Sequence, residues 1–160
     1  MKTSARFRMA TPEDAPIVSD ILRQSFAEYQ ALYTAEGFAA TTPEPAQILT
    51  RMQEGPIWVA YREAEAVASG GAVLMGDSVY IRGMAVLPAA RTIGVGRDLL
   101  AHIECWALAQ GCSRLFLSTT PFLHTAIRMY ERFGFRQNDA GSRDLFGTPL
   151  FTMEKRIVRT

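Results

Sequence analysis

The chain has 160 residues, a length typical of one domain with a sizeable buried core, and we expect residues 1–160 to form a single domain. Apolar residues make up 48% and charged residues 21% of the sequence, and the formal net charge is +1. This composition is ordinary for a globular protein. The near-neutral charge gives no reason to expect a nucleic-acid partner or binding to an acidic membrane surface.

The N-terminal residues contain no apolar signal segment, and no apolar run approaches the length of a membrane span. We therefore expect a cytoplasmic protein with no membrane partner. The two cysteines, Cys105 and Cys112, are too few for a disulfide framework or a zinc-ligand set. We expect two buried thiols and no metal.

The first third of the chain predicts one strand followed by helices. An alternating segment at residues 6–10 suits a strand. Residues 11–14, Thr-Pro-Glu-Asp, are typical of a helix start, with a capping hydroxyl, a proline at the first helical position and acids in the first turn. Apolar residues spaced by three to four extend this helix to Tyr29. Residues 31–42 predict a loop or a broken helix, and a second short helix then ends at Gly55.

The rest of the chain predicts mainly strands, interrupted by two helices. The predicted elements are three strands at 57–62, 66–75 and 78–87, a helix at 96–110, a strand at 113–118, a helix ending at Gly134, and two terminal strands at 135–137 and 150–153 separated by a polar loop. The order is therefore strand, two helices, three strands, helix, strand, helix and two strands.

A glycine turn, Arg91-Thr92-Ile93-Gly94-Val95-Gly96, joins the 78–87 strand to the following helix. Its glycines allow backbone N–H groups to point at a ligand, and the new helix adds the positive end of its dipole, so the turn predicts a cradle for a phosphate or pyrophosphate. A tight strand-to-helix connection accounts for the same residues equally well. A Rossmann site is excluded because Leu99 stands where the third glycine belongs, and a Walker loop because no Gly-Lys-Ser/Thr follows.

A second motif lies at residues 126–135, and with it the chain resembles the GCN5-related N-acetyltransferase (GNAT) family. The family's pyrophosphate loop, Arg/Gln-x-x-Gly-x-Gly/Ala, is matched at Arg91, Gly94 and Gly96. Its second motif, Ala-x-x-x-Tyr-x-x-x-Gly-Phe, is matched at Ala126, Tyr130, Gly134 and Phe135. The resemblance covers nearly the whole chain, and its most specific part is residues 79–135.

The resemblance implies an α/β (α+β) fold of the GNAT type, with a mixed, mostly antiparallel sheet of six to seven strands flanked by helices. The fourth and fifth strands of such a sheet splay apart and admit acetyl-coenzyme A; here they would be residues 78–87 and 113–118. Independently of the family, Gly83 in the middle of a strand predicts a bulge or a close backbone approach.

The resemblance also implies where the cosubstrate binds. Backbone groups around Met84 to Val86 would hold the pantetheine, and N–H groups of Ile93 to Gly96 the pyrophosphate, with Arg91 or Arg97 adding charge-assisted bonds. His124 follows Leu123, which stands where the family often has a cofactor-binding asparagine; a solvated histidine at a helix start is the alternative. The implied cosubstrate-binding residues are Met84, Ala85, Val86, Arg91, Thr92, Ile93, Gly94, Val95, Gly96, Arg97, His124, Ala126 and Tyr130.

The family reaction is direct attack of an amine on the thioester through a tetrahedral intermediate. A backbone N–H near Met84 would stabilise the oxyanion. Tyr130 would protonate the leaving thiolate, since a phenol of pKa ~10 can serve a thiol of pKa ~8.5; a core tyrosine is the alternative. Some relatives place a glutamate base where Tyr80 stands. Glu28 and Glu36 lie in the segment that covers the acceptor, where solvated acids are common, and no base is assigned.

The sequence therefore predicts an acetyl-coenzyme A-dependent N-acyltransferase of class EC 2.3.1, acting on a primary amine of a small molecule or peptide. The alternative is a non-catalytic coenzyme A-binding sensor or scaffold, which the missing glutamate favours and the presence of Tyr130 opposes. Tyr29, Tyr33 and Phe38 line either an acceptor pocket or the core. The sequence leaves open whether the chain acts as a homodimer.

Overall fold

A computed structural model of the chain describes residues 5–158, except for the side chains of residues 139–142. The strands in this part are β1 Arg6–Met9, β2 Ile57–Arg62, β3 Glu65–Met75, β4 Ser78–Val86, β5 Arg114–Thr119, β6 Arg136–Leu145 and β7 Thr148–Arg156. The α-helices are α1 Ala15–Phe26, α2 Ala35–Thr41, α3 Pro45–Glu54, α4 Val95–Ala109 and α5 His124–Phe133. None of these helices has both the length and the apolar character needed to cross a membrane.

The seven strands form one sheet in the order β1-β2-β3-β4-β5-β7-β6. Every neighbouring pair is antiparallel except β4 and β5, which run parallel. The fold class predicted from the sequence, a mixed and mostly antiparallel sheet flanked by helices, is confirmed.

Strands β4 and β5 separate soon after they begin. They pair only over Ser78–Tyr80 and Arg114–Phe116, although β4 continues to Val86 and β5 to Thr119. Within β4 the register with β3 shifts by one residue, so that Gly83 and Met84 together oppose Gly70. The predicted bulge at Gly83 is confirmed, and because a bulge bends its strand, it helps to carry β4 away from β5.

Helices cover both faces of the sheet. On one face α1 and α3 enclose a core that includes Leu22, Ile48 and Ala85, and on the other α4 closes a larger core around Leu99 and Ile103. Side chains alternate between faces along a strand. The α4 side of β4 therefore carries Val79, Ile81 and Met84, and its α1–α3 side carries Tyr80, Arg82 and Ala85.

Helix α5 ends in a backbone pattern that explains its sequence motif. Gly134 adopts a left-handed conformation and donates to the Glu131 carbonyl (3.0 Å), while the Phe135 N–H donates to the Tyr130 carbonyl (2.9 Å). This is a Schellman cap, in which the residue after the glycine commonly packs on the helix. Phe135 does so against the Tyr130 ring, with centroids 5.8 Å apart.

The structure corrects two expectations from the sequence and confirms a third. Segment 31–42 is a broken helix, one of the two predicted alternatives: a 3-10 helix ends at Leu32, and α2 then begins where the Thr34 hydroxyl accepts a hydrogen bond from the Gly37 N–H (3.0 Å). The expected polar loop before β7 continues β6 as far as Leu145, and a tight turn leads back into β7. Cys105 is exposed because it lies on the outer face of α4, opposite the buried residues of that helix, whereas Cys112 is buried as expected.

Asp14 joins the first strand to the first helix, and its carboxylate should make stability depend on pH. It is buried and accepts hydrogen bonds from the Arg8 guanidinium (2.8 and 3.0 Å) and the Thr11 N–H (2.8 Å). The bonds from Arg8 lower the pKa of Asp14 to about 2. A depressed pKa contributes stability that is present above the unfolded value of ~3.9 and is lost as the pH falls towards the folded value.

We expect Asp14→Asn to lower the free energy of unfolding by about 2 kcal/mol at neutral pH. The difference from wild type should shrink between pH ~4 and ~2, where the native carboxylate loses its advantage. Urea denaturation at a series of pH values measures both quantities. Asp20→Asn, which changes an exposed carboxylate of α1, is the control. A difference that stays constant over this pH range would contradict the assignment.

Candidate active site

The N-terminus of α4 carries backbone donors that the helix itself does not use. Gly94 caps the helix in a left-handed conformation (φ +81°) and supplies no side-chain cap. The Asp98 N–H makes the first bond of the helix, to the Gly94 carbonyl (3.1 Å). The N–H groups of Val95, Gly96 and Arg97 therefore have no helical acceptor. Together with the dipole of a 15-residue helix, they can bind an anion.

The two glycines of this turn have different surroundings. A Cβ on Gly94 would meet no atom within 4 Å, so this residue, which caps α4, borders open space. A Cβ on Gly96 would lie 2.6 Å from the Met129 sulfur and 3.3 Å from Val86 Cγ2. Gly96 is therefore needed for the close packing of α4 against α5 and β4, and Gly94 is the glycine that leaves room for a ligand.

All the hydrogen bonds that the structure gives the Arg91 side chain are to other residues of the protein, on β4 and near the end of α1. Its Nε donates to the Val86 carbonyl (3.2 Å), one terminal nitrogen donates to the Ser25 carbonyl (2.7 Å), and the other pairs with the Glu28 carboxylate. Because Ser25 lies in the last turn of α1, the cation also meets the negative end of that helix. Arg91 therefore anchors the turn. Arg97, exposed in the first turn of α4, is the arginine available to an anion there.

The remaining residues of the turn divide between core and surface. Ile93 packs against the larger core, Val95 is buried, and Thr92 is exposed. The Thr92 side chain can therefore contact a ligand, whereas buried Val95 can take part only through its backbone.

The end of β4 presents backbone groups to the gap left by β5. The Leu87 N–H donates to the Val67 carbonyl of β3 (2.9 Å). Since successive residues of a strand direct their backbone groups to opposite edges, the N–H and carbonyl of Val86 point towards the gap. Ala85 pairs with Ser69 of β3, and Met84 is the second residue of the bulge. These positions lie along the same strand that leads to the α4 turn.

Tyr130 lies on α5 and is buried, with 6% of its surface exposed. Among the residues that the structure describes, none makes a hydrogen bond with its hydroxyl. Burial raises the pKa of Tyr130, and the neighbouring Tyr33 raises it further. The phenol therefore keeps its proton throughout the neutral range. Ala126, one turn earlier on the same face, is partly buried, and His124 is exposed at the first position of α5.

The predicted aromatic group does assemble, and it includes a residue that the sequence analysis missed. The Tyr33 ring meets Phe122 at 4.9 Å and Phe38 at 5.9 Å, and Tyr29 meets Phe122 at 6.2 Å. Phe122 comes just after β5, as does Thr120, whose buried Oγ1 has no hydrogen-bond partner among the described residues. The strand alternation of Phe116 and Ser118 was the signal that could have placed Thr120 on this face.

Tyr33 connects the aromatic group to Tyr130. Burial raises the pKa of Tyr33, and the hydroxyls of Thr120 and Thr41 oppose this rise, although no complete hydrogen bond forms to Thr120. The Tyr33 hydroxyl lies near enough to Tyr130 to raise the pKa of Tyr130. The aromatic group thus lies beside the splayed strands.

None of the acids considered from the sequence is an obvious general base. Glu28 is paired with Arg91, and Glu36 is exposed on α2. Tyr80, at the position where some relatives have a glutamate, stacks on Phe116 with ring centroids 5.2 Å apart. No base is therefore assigned among the described residues.

The chain belongs to the GNAT family of acetyltransferases: residues 19–135 match the family model described as "Acetyltransferase (GNAT) family". The uncharacterised N-acetyltransferase YjgM of Escherichia coli K12 is 34% identical over 138 residues, which cover 82% of each chain. The aminoglycoside N(6')-acetyltransferase type 1 of Salmonella typhimurium is 28% identical over 61 residues, covering 38% of this chain and 42% of that protein.

The fold is also found in solved structures. The PaiA N-acetyltransferase of Thermoplasma acidophilum, crystallised in complex with coenzyme A, superimposes with a TM-score of 0.82 at 16% identity. The superposition covers 96% of this chain and 99% of that one. At this identity the likeness shows a common fold.

Proposed function

We propose that this protein is an acetyl-coenzyme A-dependent N-acyltransferase that acetylates a primary amine of a small molecule or peptide by direct attack on the thioester. The gap between β4 and β5 carries this proposal: it opens after Tyr80, includes the Gly83–Met84 bulge, and lies on the strand that leads to the α4 turn. Membership of the GNAT family supports the reaction class, and the relative crystallised with coenzyme A supports the cosubstrate.

The residues present fit the cosubstrate. Its pyrophosphate would be held by the N–H groups of Val95, Gly96 and Arg97, with the Arg97 side chain free to add a charge-assisted bond. The open space beside Gly94 gives the phosphates room. The pantetheine would lie along the gap-facing backbone of β4 around Val86. When bound, acetyl-coenzyme A supplies an activated acyl group and a thiolate leaving group.

At the bulge, the Met84 N–H is the proposed donor to the oxyanion, because an extra residue interrupts the β3 ladder there and frees backbone groups for another partner. Tyr130 is the proposed proton donor to the leaving thiolate. Burial raises the pKa of Tyr130. A thiolate in the same apolar surroundings also loses hydration, which raises the pKa of its thiol and keeps proton transfer from the phenol feasible.

The amine must reach the thioester unprotonated. For an alkyl amine of pKa ~10.4, deprotonation at neutral pH costs about 4.6 kcal/mol. In the proposed mechanism solvent removes this proton before attack, since Glu28 is paired and Tyr80 is stacked. The lack of an assigned base is also the observation that favours the second candidate, a coenzyme A-binding sensor without activity.

Gly94→Ala tests the cradle. The new Cβ would enter the open space beside the cap of α4, which the proposed site leaves for the phosphates, so we expect affinity for coenzyme A to fall at least tenfold, which is ~1.4 kcal/mol. Isothermal titration calorimetry measures the dissociation constant.

Gly111→Ala is a matched control for this variant. Gly111 lies just beyond the other end of α4 and has φ +82°, and a Cβ added to it would meet no atom within 4 Å. This variant therefore introduces the same backbone strain away from the cradle. Its affinity for coenzyme A should equal that of the wild type. Equal affinities in both folded variants would remove the cradle from the binding site.

Turnover separates the two candidate functions and tests Tyr130. Purified protein with acetyl-coenzyme A and a panel of primary amines should release free thiol and form the acetylated amine.

Tyr130→Phe should lower kcat by ~10²–10⁴-fold with little change in coenzyme A affinity, because it removes the proton donor and keeps the ring. Thiol release in steady state and calorimetry measure the two quantities.

The melting temperature of Tyr130→Phe shows whether a loss of kcat comes from a loss of folding. The hydroxyl has no described hydrogen-bond partner, so its removal should not destabilise the fold. A folded variant with a kcat near that of wild type would exclude Tyr130 as the acid. Coenzyme A binding without turnover of any amine would favour the sensor.

A further inference from the structure

Two arginines converge beside the bulge on the α1–α3 face of the sheet. Arg82 precedes Gly83 in β4, and Arg51 extends from α3 so that its Nη1 would lie 3.4 Å from a Cβ on Gly83. Burial lowers the pKa of Arg51, and the positive charge of Arg82 lowers it further. Two guanidinium groups thus lie close together at the point where the gap between β4 and β5 opens.

The charges of this pair are not balanced by the described residues. Glu54 forms a salt bridge with Arg82 (3.0 Å). Arg51 is within salt-bridge distance of no described carboxylate, and its Nη2 donates to the Ala40 carbonyl (3.2 Å). Besides these groups, only the Tyr80 phenol and Glu54 influence the ionisation of Arg51 from nearby. One carboxylate therefore faces two cations, and one positive charge is left over.

The two arginines line a surface cleft of about 340 Å³. Its other walls come from α2 and α3 and include Ala40, Gln47, Thr50 and Glu54. This volume suits a small molecule. The amide of Gln47 and the hydroxyl of Thr50 add neutral hydrogen-bonding groups, so the cleft favours a polar ligand with negative charge over an apolar or cationic one.

A carboxylate is the group that best completes this arrangement. A partly buried guanidinium without a counter-ion loses hydration and gains no ion pair in return. The planar fork of an arginine binds a carboxylate through two parallel hydrogen bonds. Because Arg51 reaches the bulge itself, a carboxylate held there would lie within the length of a small molecule from the proposed site of acetyl transfer.

We propose that Arg51 and Arg82 bind the carboxylate of the acceptor, so that the substrate class is small amino acids, with the amino group directed to the bulge. This inference rests on the proposed acetyl transfer and narrows its acceptor. Polyamines and aminoglycosides, which carry only positive charge, would be repelled by the same pair of arginines.

Matched acceptors test the inference directly. Alanine, alaninamide and ethylamine share an amine and differ in the carboxylate, and thiol release gives kcat/KM for each. We expect alanine to exceed both neutral analogues at least tenfold, and the same order in further amino acid, amide and amine sets. The amide has the less basic amine, so its larger unprotonated fraction works against this expectation.

Arg51→Gln keeps a donor for the Ala40 carbonyl and removes the charge. We expect it to raise KM for the amino acid at least tenfold, to leave kcat within a few fold, and to abolish the preference over the amide. Arg82→Gln should act in the same direction and provides a second variant if the first does not fold. Arg23→Gln removes an exposed arginine of α1, which pairs with Glu44, and should leave KM unchanged.

The outcomes separate this inference from the proposed function. Turnover of amines with no preference for the carboxylate, or a preference that survives in Arg51→Gln and Arg82→Gln, overturns the amino acid assignment and leaves acetyl transfer standing. Binding of acetyl-coenzyme A without turnover of any amine in the panel overturns both. A preference lost equally in Arg23→Gln shows an effect of overall charge and also overturns the assignment.

Discussion

The early separation of β4 from β5 is the constraint on which the rest of this structure depends. A strand inside a sheet must satisfy its backbone groups, and after Tyr80 strand β4 no longer has β5 to do so. The Arg91 side chain donates a hydrogen bond to the Val86 carbonyl and another to the Ser25 carbonyl, which connects the α4 turn to α1. The unpaired part of β4 thus contains a bulge and ends at an ion-paired arginine, next to a helix whose first N–H groups have no helical acceptor.

The two faces of the sheet carry different groups of side chains beside this gap. On one face, close packing of Gly96 against Met129 brings α4 and α5 together, which places the cradle near the helix that carries Tyr130. On the other lie the aromatic rings around Tyr33 and the cleft lined by Arg51 and Arg82. In the proposed reaction, the first face serves the cosubstrate and the second serves the acceptor.

The sequence predicted the elements well because they depend on local signals, whereas the gap between β4 and β5 was implied by the resemblance to the GNAT family. Alternation located β2 to β5, Gly83 located the bulge, and the Tyr-x-x-x-Gly-Phe motif proved to be a helix cap. The roles of Gly96 and Arg91 could not be predicted, since a glycine or arginine in a turn is equally compatible with a ligand or with the chain as its neighbour. Arg51 was missed because only tertiary packing brings α3 beside β4.

Backbone amide NMR during a titration with coenzyme A tests most directly whether the gap and the α4 turn form one binding site. We expect the largest chemical-shift changes at Val86 and at the amides of Val95, Gly96 and Arg97, with little change in β1 or in the turn between β2 and β3. Saturable changes confined to other parts of the chain, with these four amides unmoved, would contradict that site.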